Sequence, residues 1–228
     1  MKNTALVLTL MLSLVGCAAI QQQPVNLSSN ALSPNSGRIG VAMAALPPVD
    51  THLPGAHCLL CMATAAIANS SLTSHAKTLQ ASEVASLKTE VADIVRKRNV
   101  DVLVIEEAIN IDSFPDAGST DANMAKKNFA QLREQYQLEK LIVIDITQLG
   151  FVRSYSGYFP ISDPKGALIG SAYMVNLKTN QYEWYLPLNE VKSADQKWDE
   201  PTKFPGLTNA FFQAIEAGRD LVLRALER

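Results

Sequence analysis

The chain has 228 residues, 47% of them apolar, with 20 Lys and Arg against 22 Asp and Glu. That apolar content excludes a disordered tail protein. A formal charge of −2 gives no net pull toward nucleic acid and no basic groove to hold one. The length suits one well-cored domain or two very small ones.

Lys2 precedes a run over residues 5–15 that holds only apolar, Ser and Thr side chains, and small residues lead into Cys17. The run has the n-region and h-region of a secretory signal and is too short for a permanent span, which needs ~20 residues. Leu14-Val15-Gly16-Cys17 resembles the bacterial lipoprotein signal. The resemblance implies that residues 1–16 are removed and that Cys17 carries the lipid binding the chain to a bilayer. Ala18, rather than Asp, in the next position implies the periplasmic face of the outer membrane. The alternative is an ordinary secretory signal with an incidental cysteine.

Residues 18–37 are rich in Gln, Pro, Asn and Ser, with no charge and no apolar period. They predict a flexible tether over 17–37, spanning about 25 Å as a coil and no more than ~70 Å stretched. A single globular domain is expected over 38–228. Ile39-Gly40-Val41-Ala42-Met43 reads as a buried strand stopped by Pro47-Pro48. Val84, Leu87, Val91, Ile94 and Val95 predict a helix over 83–98 with Ser82 as N-cap. A second strand follows at 102–105. A second helix is expected to carry Ala122, Ala125, Phe129, Leu132 and Tyr136 on one face.

Leu141-Ile142-Val143-Ile144-Asp145-Ile146 predicts a third strand covered on both faces. Alternation then predicts antiparallel strands at 151–158, 168–177 and 182–191, the last two joined through Lys178-Thr179-Asn180-Gln181. A final helix is expected from Asn209, capped by Thr208, with Leu207 and Phe212 spaced as a hydrophobic staple. Its inner stripe is Phe211, Ile215, Val222 and Leu226. The order β-α-β-α-β-β-β-α predicts an α+β fold, a central mixed sheet packed by helices.

Residues 129–145, from Phe129-Ala130-Gln131-Leu132 through Leu141-Ile142-Val143-Ile144-Asp145, look like one family's helix, turn and buried strand. Asn176-Leu177-Lys178-Thr179-Asn180-Gln181-Tyr182-Glu183-Trp184 looks like its hairpin, with Asn180 where the family has Gly; Asn also tolerates positive φ. On these two stretches and the element order, the domain resembles that of the TolB amino-terminal domain, the curli-secretion lipoprotein and the lipoprotein activators of peptidoglycan synthases. The resemblance implies a non-enzymatic binding or assembly role and transfers no site residue. The short tether departs from the synthase activators, whose linkers are long.

All three histidines and the two cysteines other than Cys17 fall between His52 and His75. Cys58 and Cys61 have the spacing for one disulfide or one shared metal. Three states are open: a structural disulfide, favoured in an oxidising compartment; a Zn or Cu site in which His57 joins the cysteines and His52 or His75 completes the set; or free, redox-active thiols. No thioredoxin-like placement supports the last, since Cys58 does not directly follow a strand.

An apolar run follows over residues 59–68, including Leu59, Leu60 and Ile67. It is an oligomer contact, a membrane-touching segment, or a small-residue helix buried under the sheet. Trp198 and Phe204, beside Pro201 and Pro205, are a recognition surface or fold back over a sheet edge. No phosphate-cradling Gly loop, Gly-x-Ser-x-Gly elbow or His-Glu-x-x-His is present. The expectation is a non-catalytic outer-membrane lipoprotein that needs no cofactor. It would contact the bilayer through Cys17 and an envelope protein partner or further copies of itself. A metal- or thiol-handling protein is the alternative.

Overall fold

The computed structural model describes residues 22–119 and 121–227; the signal segment and Cys17 lie outside the described residues. In chain order come β1 (Ile39–Met43), β2 (Asp50–His52), α1 (Leu59–Ala68), α2 (Ser70–Ala76), α3 (Ser82–Arg96) and β3 (Val102–Val104). Then follow α4 (Ala130–Tyr136), β4 (Lys140–Val152), β5 (Tyr155–Ser156), β6 (Phe159–Pro160), β7 (Lys165–Asn176), β8 (Gln181–Ser193) and α5 (Pro205–Glu227). The fold is α+β with a mixed sheet. Its strand order is β3-β1-β4-β7-β8, with β2 pairing a further part of β4.

β1 lies between β3 and β4 and is parallel to both. All five of its residues are buried, which is why it reads as an unbroken apolar run. β4, β7 and β8 form a long antiparallel meander. On one face, Ile142, Ile144, Ile146, Leu149 and Phe151 pack under α3 and α5, which supply Val84, Leu87, Val91, Val95, Phe211, Ile215, Val222 and Leu226. α5 sits so close to β7 that a side chain at Gly166 would collide with the backbone of Ala210 and Phe211. Arg219 binds both oxygens of Glu90 at 2.8 and 2.7 Å, joining the two long helices. The other face is covered by a thinner layer, chiefly Phe129, Leu132, Ile105 and Ile109 against Leu141, Val143 and Tyr173.

Several predicted boundaries shift. α3 starts at Ser82 itself and Ala81 takes the cap position without a side-chain bond. Thr208 lies inside α5, its hydroxyl turned back to the Phe204 carbonyl at 2.9 Å, so neither the cap nor the Leu207–Phe212 staple forms. The second helix is cut to Ala130–Tyr136. The stretch before it is irregular because the Asn180 amide donates to the carbonyls of Ala125 and Lys127 and holds them open. The single strand expected over 151–158 is divided: Phe151 and Val152 end β4, and Tyr155–Ser156 form β5, which pairs with β6. A bulge between Ile146 and Gln148 breaks the alternation of β4 without ending the strand.

The tether is the largest correction. From residue 22 onward it lies on the domain: Val25 and Tyr185 exchange backbone hydrogen bonds at 2.9 Å each. Ala31 and Leu32 are buried in the main core. Lys140, only 9% exposed, donates to the Ala31 carbonyl at 2.9 Å and pairs with Glu183 at 2.6 Å. The uncharged composition that resembles a linker also suits a strap with few side chains to solvate. Removing one partner of a buried ion pair costs about 3 kcal/mol. Lys140→Ala is therefore expected to lower urea stability by about that much, with amide exchange across residues 25–32 rising more than in the sheet.

Candidate functional site

β2 pairs with the far end of β4, Asp50 opposite Gly150 and His52 opposite Val152. Beyond it the chain turns against residues 153–157. Arg153 N–H donates to the His52 carbonyl at 3.0 Å, Tyr155 N–H to Pro54 at 2.7 Å, and Gly157 N–H to Gly55 at 3.1 Å. Gly55 has φ +92°, and a Cβ there would strike the Tyr155 carbonyl, so this close approach requires glycine.

Cys58 follows as the N-cap of α1, its Sγ accepting from the Cys61 N–H at 2.9 Å. The two cysteines form a disulfide with Cα atoms 4.9 Å apart, which closes the first turn of the helix. The Tyr158 hydroxyl lies 3.7 Å from the Cys58 sulfur, bringing the β5–β6 hairpin against the start of α1. Cys61 and Ala65 point inward with Ala56 and Tyr155, forming a small apolar cluster separate from the two main ones.

A buried polar network ties this cap to the sheet. The Asn69 amide donates to Ala65 O and to the Tyr155 hydroxyl, both at 2.7 Å, and accepts from Arg153 Nη1 at 3.1 Å. Arg153 Nε donates to Ser162 O at 3.2 Å, and its guanidinium lies 4.9 Å from the centre of the Trp198 ring. Every member is satisfied, so the network holds the cap in one position.

The outer face of α1 has no such cover. Leu59, Leu60, Met62 and Ile67 are 85%, 67%, 56% and 75% exposed. Phe159, Ile161 and Tyr158 stand exposed on or beside the neighbouring hairpin. Of the three readings of this run, the helix buried under the sheet is thus overturned: only Cys61 and Ala65 of α1 are buried. Small residues at 63, 66 and 68 gave a composition compatible with burial, but among the described residues no layer lies over them.

The metal set does not assemble. The cysteines are bonded to each other, and among the described residues no three His, Cys, Asp or Glu side chains are placed to hold an ion. His57 is exposed, while His52 Nε2 is buried with no hydrogen-bond partner among the described residues. His75 stacks on Phe151 and packs at a tilt against Phe204 on the α5 side, its Nε2 2.7 Å from the Thr208 hydroxyl oxygen. The Thr208 hydroxyl can itself donate to the Phe204 carbonyl, and this engagement with α5 holds the His75 ring apart from the cysteine pair.

Trp198 and Phe204 stack on one another with centroids 6.2 Å apart. Both are half-buried, and Phe204 packs on the main core, so they close the route into α5 instead of forming a free surface.

Sequence reasoning missed one polar hollow, on the thinly covered face of the sheet. It is lined by Gln22, Asp112, Asp145, Tyr173, Tyr182 and Tyr185 among others. Burial, then the Asp112 carboxylate, raises the Asp145 pKa. Burial foremost pushes Tyr182 up to about 12 and Tyr173 higher still. The three tyrosine rings lie 5.0–6.0 Å apart and so pack on one another, leaving no slot for a ligand ring between them. The lone acid in the apolar run 141–146 was the available signal.

The chain is thus an α+β domain with one mixed sheet and a disulfide-closed cap at one end of β4. No protein-family model matches it, and no curated protein matches it in sequence; the likeness of its two stretches to the TolB and curli-secretion group stays a resemblance. Among solved structures it is similar to the PelC dodecamer from Paraburkholderia phytofirmans, at 6% identity over 90% of this chain and 93% of that one, with a TM-score of 0.39. It is also similar to lipoprotein GNA1162 from Neisseria meningitidis, at 14% identity over 79% and 99%, TM-score 0.31. A third is the hypothetical protein CT253 from Chlamydia trachomatis, at 11% identity over 82% and 98%, TM-score 0.31. Likeness this loose carries no argument about function or oligomeric state.

Replacing Asn69 with Leu strips a partner from both Tyr155 and Arg153, and Asn69→Leu is expected to cost about 2 kcal/mol in urea unfolding. The double variant with Tyr155→Phe should cost less than the two singles added, because they share one bond. Burial, then Lys203, lowers the His75 pKa below 6.5. The unfolded chain therefore takes up its proton first as pH falls. Stability from His75 is full above about pH 6.5 and is lost as pH drops from there through the lower folded value. Melting temperatures between pH 7.5 and 5 should fall less steeply in His75→Gln than in the parent.

Proposed function

We propose that this protein is an outer-membrane lipoprotein of the cell envelope that works by contact, without catalysing a reaction and without a resident cofactor. Cys17 carries the anchoring lipid, and the cap built by α1 and the β5–β6 hairpin is the working surface. One observation carries the reading: seven large apolar side chains stand exposed together on a cap that a disulfide and the Asn69 network hold rigid. An exposed patch of this kind marks a binding surface, and rigidity lowers the entropic cost of using it. The strapped segment supports the same role. With residues 22–37 laid on the domain, little free chain separates Cys17 from the fold, so its contacts lie at or near the anchoring bilayer.

A photo-crosslinking residue placed at Met62 in intact cells tests this against one at Phe212 on α5. Met62 is expected to give discrete adducts, to lipid or to protein, at several times the Phe212 yield, and intact mass should show an acyl-modified Cys17. Equal yields at the two positions would sink the contact reading.

A further inference from the structure

We infer that the occupant of the α1 cap is the lipid bilayer itself: α1 and the tip of the hairpin seat in the membrane interface beside the anchor and fix the orientation of the domain. This rests on the reading that the cap is a contact surface and names what it contacts.

The first ground is the chemistry of the surface. Residues 51–76 contain no Asp, Glu, Lys or Arg, and neither do residues 154–162. Of the ten exposed large apolar residues among those described, seven lie here: Leu59, Leu60, Met62, Ile67, Tyr158, Phe159 and Ile161. They present on the order of 1,000 Å² of surface, above the few hundred Å² of an ordinary monomer's largest patch. The one polar side chain on α1, Thr64, spends its hydroxyl on the Leu60 carbonyl at 2.8 Å. Protein interfaces carry about one hydrogen bond per 100–200 Å², and α1 offers its partner almost none. A surface with its polar groups satisfied internally is what hydrocarbon demands. Tyr158, less exposed than Phe159 beside it, has the amphipathic ring that favours the headgroup level. No described helix is long and apolar enough to cross a membrane, so α1 would lie in the interface, about 5–10 Å deep.

The second ground is where the chain outside the described residues begins. The stretch from Cys17 to Gln22 spans at most ~18 Å when fully extended. Gln22 lines the hollow floored by Asp145, and Met62 and Ala66 line one beside Gln148. Both β4 residues face the side of the sheet away from α3 and α5, since Ile144, Ile146 and Leu149 beside them pack toward those helices. They lie about 10 Å apart along the strand. The lipid on Cys17 and the apolar cap can therefore enter one bilayer from one side of the domain. A lipid of more than one acyl chain on Cys17 would anchor firmly by itself; the cap adds a second point and so removes rotation about the first.

The test uses the mature chain isolated from cells and reconstituted in phosphatidylethanolamine–phosphatidylglycerol vesicles, with acyl chains brominated in half of the preparations. Phe159→Trp is compared with Val191→Trp on β8, each corrected for the native tryptophans. Bromination is expected to quench Phe159→Trp at least threefold more than Val191→Trp. Adding Leu59→Asp and Ile67→Asp should bring it down to the Val191 level. Equal quenching at both positions overturns the proposal. So does a detergent-stable oligomer that shields Phe159→Trp whether or not the lipid is brominated and that dissociates in the Asp variant, which would make a second copy the occupant. Strong quenching with an unmodified Cys17 by mass would keep the bilayer seat while ending the anchored reading, so the two fail separately.

Discussion

The pairing of β4 on both of its edges sets the rest of the structure. Its first five residues take β1 as a parallel neighbour, its last three take β2, and nearly its whole length takes β7 in antiparallel register. A strand bonded along both edges cannot shift register without losing two ladders at once. The bulge between Ile146 and Gln148 lets one long strand keep Leu149 and Phe151 on the helix side. It also lets the far end of β4 reach out to β2, where the cap is built.

The cap is stable for different reasons. It lies outside the two main cores, and its own apolar cluster is small. Backbone bonds from 153–157 to 52–55, a short disulfide and the Asn69–Tyr155–Arg153 network replace a buried core there. A four-residue disulfide loop restricts the unfolded chain modestly, worth about 2 kcal/mol in the chain-entropy model. Its larger consequence is local: it joins the N-cap to the first turn of α1, so the helix starts at one position and presents one face. Apolar surface held this firmly can meet a membrane or a protein without first being ordered.

Much of the fold was legible in the residues. β1, the core of α3, the β7–β8 turn through Asn180 and the inner stripe of α5 follow from periods of two and 3.6 and from turn chemistry. Each of these depends on neighbours within a few positions. The failures share a cause too. Ser82 and Thr208 have good capping side chains, but where each helix starts is set by tertiary packing. The 122–129 stretch has helical spacing, yet Asn180 from a distant hairpin claims its carbonyls. The 18–37 stretch has linker composition, yet Lys140 and the edge of β8 hold it from residue 22 onward.

For the site, the cysteine spacing alone allowed a disulfide, a metal or free thiols, and sequence named the right residues without choosing among them. The choice came from three-dimensional placement: His75 is drawn to Thr208 on α5, His57 faces solvent, and the two sulfurs are left with each other. The same holds for Leu59, Leu60 and Ile67. By itself the sequence determined that a charge-free apolar helix stands next to a cysteine pair, because that is a property of consecutive residues. Whether such a helix is buried depends on whether another layer lies over it, and that is decided by how remote strands pair. Here β2 and the 153–157 segment carry α1 past the end of the sheet, where no layer among the described residues covers it.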